Sequence, residues 1–120
     1  MKTILISGEP CVIEKFLQEA RYLEELEILR SFQEEKEAYD LVSRREVDLA
    51  VIDLDMQKSD GVDVGWELKK RNPDILLIYL TREQRNLMEL LPLHPVAVVE
   101  KPFREGEIEY VVESAYLLSK

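Results

Sequence analysis

The chain has 120 residues, 46% of them hydrophobic and 34% charged, and a net charge of −9 at pH 7. This length suits one compact domain over residues 1–120, and no apolar run approaches the roughly 20 residues that cross a bilayer. We therefore expect a cytoplasmic protein without a membrane partner. The acidic balance argues against direct nucleic-acid binding, which needs clustered Lys and Arg. With one cysteine, Cys11, and one histidine, the chain lacks the residues for an internal disulfide or a zinc-ligand set.

Strand and helix patterns alternate along the whole chain. In chain order the predicted elements are a strand at Ile4–Ile6, a helix over Pro10–Tyr22, a strand at Leu26–Phe32, a helix over Glu34–Arg45, a strand at Leu49–Ile52, a helix over Val64–Arg71, a strand at Ile75–Ile78, a helix over Glu83–Leu91, a strand at Val96–Val99 and a helix over Gly106–Leu118. Four of the strands do not alternate with polar residues, which indicates burial on both faces. Leu26–Phe32 alternates better and suits an edge strand.

This alternation predicts an α/β fold, with a five-stranded parallel sheet and five helices on its two faces. Helical spacing predicts that one side of the last helix packs in the core. The residues on that side are Ile108, Val111, Val112, Ala115 and Leu118. Trp66 is expected to cover the core, and Cys11 to pack as a small apolar residue. In such sheets, ligands bind beyond the carboxyl ends of the strands.

Polar residues stand at or just beyond the ends of three of the apolar runs. Asp53 follows Ile52, Thr81 follows Leu80, and Lys101 comes two residues after Val99. Taken singly, an Asp in this place is usually a turn former, a Thr reflects β-propensity, and a Lys before Pro faces solvent. A parallel sheet brings all three to one edge. There a carboxylate can attack phosphorus, while a hydroxyl and an ammonium bind the phosphoryl oxygens.

These residues lie in motifs that resemble the receiver domain of bacterial two-component response regulators. The segment from Asp53 to Gly61 resembles the pattern D-x-x-M-P-x-x-D-G, with Gln57 in place of Pro, and Lys101-Pro102-Phe103 matches the family's K-P-F, usually with a cis Lys-Pro bond. The resemblance covers essentially the entire chain. It implies the flavodoxin-like strand order 2-1-3-4-5.

The resemblance also implies a function and a set of site residues. Asp53 would accept a phosphoryl group from a sensor histidine kinase. Thr81 and Lys101 would couple the acyl phosphate to movement of the last helices, which switches a protein-interaction surface. Receivers use Mg²⁺, and here the implied ligands are Asp53, the backbone carbonyl of Asp55 and Glu9. The domain would be a phosphoacceptor with self-catalysed transfer and dephosphorylation, and not an enzyme in the ordinary sense.

Two departures from the family pattern bear on phosphorylation. Ser7 and Gly8 stand where receivers have an acidic pair, and only Glu9 keeps a carboxylate nearby. A divalent cation needs hard oxygen ligands, so Mg²⁺ is expected to bind weakly or not at all. The family's switch aromatic is Val98 here. An alternative is therefore a phosphorylation-independent pseudo-receiver that acts as a protein-interaction module.

Other resemblances are narrower. The run from Asn72 to Phe103 resembles receivers of the LytTR class of transcriptional regulators. Asp53-Leu54-Asp55 resembles the D-x-D motif of haloacid-dehalogenase-type phosphatases, although Gln57 departs from it. A flavodoxin-like cofactor binder would need a Gly- or Ser/Thr-rich phosphate-binding loop after the first strand. The segment from Ser7 to Pro10 has little of this composition. A homodimer through the fourth and fifth helices and the fifth strand is also expected.

Overall fold

The computed structural model describes residues 1–82 and 87–120. Its strands are β1 (Lys2–Ile6), β2 (Glu27–Phe32), β3 (Leu49–Asp53), β4 (Leu76–Thr81) and β5 (Ala97–Glu100). Its helices are α1 (Pro10–Ala20), α2 (Glu35–Ser43), α3 (Gly61–Arg71), α4 (Leu87–Leu90) and α5 (Glu107–Leu118), with a short 3₁₀ turn at Leu91–Leu93. The first four residues of the helix predicted over Glu83–Leu91 lie outside the described residues.

The five strands form one parallel sheet in the order β2-β1-β3-β4-β5. Both the predicted α/β class and the implied strand order are confirmed. The order reverses direction between β1 and β3, which creates the crevice where such sheets bind ligands. No helix of the described residues is long and apolar enough to cross a membrane.

Successive residues of the central strands point to opposite faces and build two apolar layers. On one face, Ile52 and Tyr79 pack with residues of α2 and α3. On the other, Val51 and Leu80 pack with Phe16 of α1 and with α5. β3 is buried along its whole length, so the sheet forms a rigid support for whatever its carboxyl edge carries.

Helix α3 begins three residues before the predicted start at Val64. Asp60 caps it, because one carboxylate oxygen accepts a hydrogen bond from the Val62 N–H at 2.8 Å. An acidic residue at this position satisfies a backbone donor that the helix itself leaves unpaired. The apolar period alone could not reveal this start, since Gly61 and Asp63 interrupt the hydrophobic stripe.

Three packing predictions were wrong. Leu118 is 65% exposed although Ile108, Val111, Val112 and Ala115 are buried as predicted, because it is the last residue of α5 and residues 117–120 are exposed throughout. Trp66 is 48% exposed on α3 instead of covering the core. Cys11 is exposed at the start of α1.

Candidate functional site

The carboxyl edge of the sheet brings the predicted site residues together. Asp53 and Thr81 are the last residues of β3 and β4, and Lys101 directly follows β5. The Lys101 N–H donates to the Thr81 carbonyl at 2.7 Å, which fixes the lysine backbone against β4. The Lys101–Pro102 bond is cis, as the sequence motif implied. The Lys101 ammonium then lies 2.8 Å from Oδ1 of Asp53.

Asp53 is completely buried, and its carboxylate is surrounded by donors. Oδ2 accepts a hydrogen bond from the Ser7 hydroxyl at 2.7 Å. Oδ1 accepts from the Asp55 N–H at 2.9 Å and from Lys101. An ionised carboxylate is expensive to bury unless it is paired and hydrogen-bonded. These donors therefore allow an ionised Asp53 at the end of a fully buried strand.

Lys101 holds two carboxylates at once. Its ammonium lies 2.9 Å from Oδ2 of Asp55 as well as 2.8 Å from Asp53, and 3.9 Å from Oε1 of Glu9. The lysine side chain is only 8% exposed. Charges paired in a poorly solvated position interact more strongly than surface pairs. Lys101 is therefore the fixed positive charge at the centre of the site.

Asp55 lies two residues after Asp53 and keeps its negative charge despite being nearly covered. Burial opposes ionisation, but the hydrogen bonds from Lys101 and from the Arg82 N–H, together with the two positive charges, outweigh it and lower the pKa of Asp55 below its ordinary value. The Arg82 N–H donates to Oδ2 at 2.8 Å. The aspartate side chain thus ties β3 to the segment after β4.

An ion pair between Glu9 and Arg82 lies at the rim of the site. An arginine nitrogen lies 2.6 Å from Oε2 of Glu9, and the side chains are 63% and 27% exposed for Arg82 and Glu9 respectively. Ion pairs this open to water contribute at most about 1 kcal/mol. Glu9 lines two cavities, one of about 400 Å³ that it shares with Asp55 and one of about 470 Å³ that it shares with Arg82 and Lys101.

The donor set does not fit a divalent cation as it is arranged. Among the described residues, no group of three His, Cys, Asp or Glu side chains could hold a metal ion. Ser7 turns its hydroxyl to Asp53, Gly8 has no side chain, and the Glu9 carboxylate is bound to Arg82. The side chains of Asp53 and Asp55 both contact Lys101. Basic side chains therefore already occupy the carboxylates that a cation would need.

Sequence reasoning missed the parts played by Ser7 and Arg82. Ser7 was interpreted only as a lost carboxylate, whereas the structure shows it as a hydrogen-bond donor to Asp53. Its position directly after the apolar run Ile4–Ile6, matching Asp53 after Ile52, was the available signal. Arg82 directly follows Thr81, the last residue of β4. Its place just after a strand could therefore have identified Arg82 as a residue of the site.

The model of the response regulator receiver domain family matches residues 4–113. The chain belongs to the response regulator receiver domain family. This receiver domain is 35% identical over 75 residues to the response regulator SaeR of Staphylococcus aureus, a match that covers 61% of this chain and 32% of SaeR. The matched region thus spans about a third of the length of that relative.

Solved structures show the same fold. The REC domain of AraT, a response regulator from Geobacillus stearothermophilus, matches with a TM-score of 0.87 at 22% identity over 98% of this receiver domain and 93% of that chain. The response regulatory domain of protein mrkE from Klebsiella pneumoniae matches with a TM-score of 0.88 at 18% identity over 99% and 98% of the two chains. These matches do not confirm the resemblance to the LytTR class.

Membership of this family establishes a signalling domain of a two-component system and not a classical enzyme. Receiver domains interact with sensor histidine kinases and generally bind Mg²⁺ at their acidic pocket. The phosphorylation-independent alternative is not supported over phosphoryl acceptance by these findings.

Proposed function

We propose that Asp53 accepts a phosphoryl group from a phosphohistidine of a sensor histidine kinase, and that the acyl phosphate switches a protein-interaction surface. The observation that carries the proposal is the contact between the buried Asp53 carboxylate and the Lys101 ammonium at 2.8 Å. The lysine neutralises charge where the phosphoryl oxygens would gather, and buried donors of this kind stabilise a transferring phosphoryl group most effectively. Asp53, Thr81 and Lys101 are the site residues of this proposal.

The transfer is a displacement at phosphorus. A carboxylate oxygen of Asp53 forms the new O–P bond as the N–P bond of the phosphohistidine breaks, and the imidazole nitrogen keeps the electron pair and takes a proton from solvent. Lys101 binds one phosphoryl oxygen, and the Thr81 hydroxyl binds another. Hydrolysis of the acyl phosphate in the same site returns the free carboxylate and inorganic phosphate, so the domain promotes its own phosphorylation and dephosphorylation.

The proposal also includes weak binding of Mg²⁺ near Asp53. Asp53, the backbone carbonyl of Asp55 and Glu9 are the oxygen ligands that this chain offers to Mg²⁺. Binding by Glu9 requires that it leave Arg82, to which it is bound at 2.6 Å. We therefore propose weak Mg²⁺ binding, and none of the steps above depends on the ion.

The remaining proposals concern the receiver domain as a unit. Residues 1–120 act as one receiver domain, in the cytoplasm, where a sensor kinase can reach Asp53. The net charge of −9 favours protein partners over direct contact with nucleic acid. A homodimer through α4, β5 and α5 is supported by the exposed apolar side chains of these helices, including Met88, Tyr110 and Leu117.

Labelling with acetyl phosphate, read by intact mass, tests the phosphoryl acceptance. The unmodified protein is expected to gain the mass of one phosphoryl group and Asp53→Asn none. The matched control is Asp40→Asn, which removes an exposed aspartate on α2 and should label like the unmodified protein. Labelling of Asp53→Asn to the same extent as the control would contradict the proposal, as would no labelling of any of the three proteins.

A further inference from the structure

Arg82 binds the carboxylate that a divalent cation would most need. Glu9 is the first acidic residue after β1 in the sequence, since Ser7 and Gly8 occupy the positions before it. Its Oε2 lies 2.6 Å from an Arg82 nitrogen. Its other oxygen lies 3.9 Å from the Lys101 ammonium. Both oxygens of Glu9 therefore face basic groups of the chain.

The two basic side chains differ in how firmly they are held. Lys101 is 8% exposed and contacts Asp53 and Asp55 at 2.8 and 2.9 Å, so it is fixed within the site. The Arg82 side chain is 63% exposed, and its only described side-chain ion pair is the one with Glu9. Its backbone N–H is anchored on Asp55. Arg82 thus has a fixed base and a side chain that can leave Glu9 without disturbing the buried core.

The charges of the site show what a cation would meet. Among the described residues of the site, Glu9, Asp53 and Asp55 contribute three negative charges, and Lys101 and Arg82 contribute two positive charges. Before phosphorylation, these five side chains together carry one net negative charge towards a divalent ion. Removing Arg82 would leave two, together with a free Glu9 carboxylate at the rim. The attraction of a cation rises with both changes.

We propose that Arg82 is a built-in competitor of divalent cations at this site: it holds Glu9 in an ion pair, so that arginine and cation exclude each other. The inference rests on the proposed function only because both concern the same site. It adds Arg82 as a residue that sets the affinity of this site for metal ions. Weak metal binding then has two causes in this chain, the missing carboxylate at Gly8 and the occupied carboxylate of Glu9.

Binding of Mn²⁺, followed by the loss of the free-ion signal in electron paramagnetic resonance, tests this without any phosphodonor. Arg82→Ala is expected to bind Mn²⁺ about five-fold more tightly than the unmodified protein, the change that corresponds to freeing Glu9 from an exposed ion pair. Adding Glu9→Gln to Arg82→Ala should abolish the gain. Gly8→Asp is the positive control, since a Cβ built on Gly8 has no atom within 4 Å and the new side chain has room.

Arg44→Ala is the matched control for lost positive charge, because Arg44 is an exposed arginine at the end of α2. Equal affinities of Arg82→Ala and Arg44→Ala would overturn the inference, including the case in which neither binds Mn²⁺. Persistence of the full gain in the Arg82→Ala, Glu9→Gln double variant would overturn it as well. A failure of acetyl phosphate to label Asp53 would contradict the proposed function and leave this measurement unaffected.

Discussion

The Ser7 hydroxyl donates to Oδ2 of Asp53 at 2.7 Å, and both residues are completely buried. Water cannot replace this donor without entering the site. Removing one partner of a buried hydrogen bond leaves the other unsatisfied, and bonds to charged groups are the costlier ones to lose. Ser7 therefore contributes to stability through the carboxylate that we propose as phosphoacceptor.

We predict that Ser7→Ala lowers the free energy of unfolding by about 1.5–3 kcal/mol in urea denaturation. The control is Ser114→Ala on α5, whose hydroxyl bonds, within the described part of the chain, only to the Tyr110 carbonyl of its own helix. This variant should stay within about 0.5 kcal/mol of the unmodified protein. Equal stability of the two variants would show that the Asp53 carboxylate does not depend on Ser7.

Asp55 makes the stability dependent on pH in the acid range. Its pKa is lowered in the folded protein from the ordinary value of 3.8: burial opposes the lowering, but Lys101 and Arg82 outweigh it. The ionised form is therefore favoured by folding. This contribution is fully present above the unfolded pKa, and it is lost as the pH falls through the lower folded value.

We predict that the unmodified protein loses more stability than Asp55→Asn between neutral pH and a pH below 3.8. The free energy of unfolding of the two proteins, measured by urea denaturation across that range, gives the comparison. Asp40→Asn, which removes an exposed aspartate, should keep the pH dependence of the unmodified protein. Parallel curves for the unmodified protein and Asp55→Asn would contradict the lowered pKa.

Helix α3 approaches β4 closely at Gly65 and Tyr79. A Cβ at Gly65 would lie 1.8 Å from the Tyr79 hydroxyl oxygen and 3.1 Å from its ring carbon Cζ. The hydroxyl is buried and makes no hydrogen bond among the described residues, and burial raises the pKa of Tyr79. Glycine at position 65 therefore makes room for a tyrosine whose ring fills the core and whose hydroxyl has no described partner.

We predict that Gly65→Ala destabilises the domain, because an overpacked site costs about 1–3 kcal/mol. Tyr79→Phe should be stabilising by about 1 kcal/mol, since it removes an unpaired buried hydroxyl. In the double variant, part of the Gly65→Ala loss should be recovered, a coupling that thermal and urea denaturation can measure. If the stability effects of Gly65→Ala and Tyr79→Phe are strictly additive, the contact between position 65 and the Tyr79 hydroxyl does not determine how α3 packs on β4.

At the level of elements, hydrophobic period predicted which segments are strands and helices but not where they end. Asp53 and Thr81 belong to β3 and β4, because backbone pairing continues past the apolar runs. Because Asp60 caps the helix, α3 begins at Gly61, three residues before the predicted start at Val64. The exposed position of Trp66 was likewise not predictable, since an apolar side chain on a helix is placed by its neighbours in space and not by its type.

At the level of the whole molecule, several exposed apolar side chains lie on α4, α5 and the turn between α4 and β5. Five of them are Met88, Leu91, Tyr110, Leu117 and Leu118, each more than half exposed. Exposed apolar side chains mark an interaction surface when they lie side by side. They support the proposed weak homodimer, whose formation we expect to be strengthened by phosphorylation.

We predict that the sedimentation coefficient rises with protein concentration, and rises further with acetyl phosphate. Leu117→Lys should suppress the rise, since it places a charge within the exposed apolar surface. Tyr22→Lys, at a residue that is 76% exposed just after α1, is the control and should behave like the unmodified protein. A monomer at high concentration with and without the phosphodonor would argue against this surface as a dimer interface.

The topology and the site differ in how far the sequence could predict them. Parallel strands place their carboxyl ends at one edge, so the convergence of Asp53 and Lys101 followed from the pattern of elements alone. The hydrogen-bond and ion-pair partners of Asp53 and Lys101 could not be predicted in this way. The contacts of Ser7 and Arg82 depend on side-chain direction across strands that are distant in sequence, and a one-dimensional pattern carries no record of it.

The central claim is that Asp53 itself carries the phosphoryl group, and chemical trapping tests it most directly. After treatment with acetyl phosphate, borohydride reduces an aspartyl phosphate to homoserine, which peptide mass spectrometry locates in the sequence. We predict homoserine at position 53 and at no other aspartate, including Asp55, whose carboxylate is also bound to Lys101. Homoserine at Asp55, or its absence from position 53 in a protein that has gained a phosphoryl group, would contradict the account.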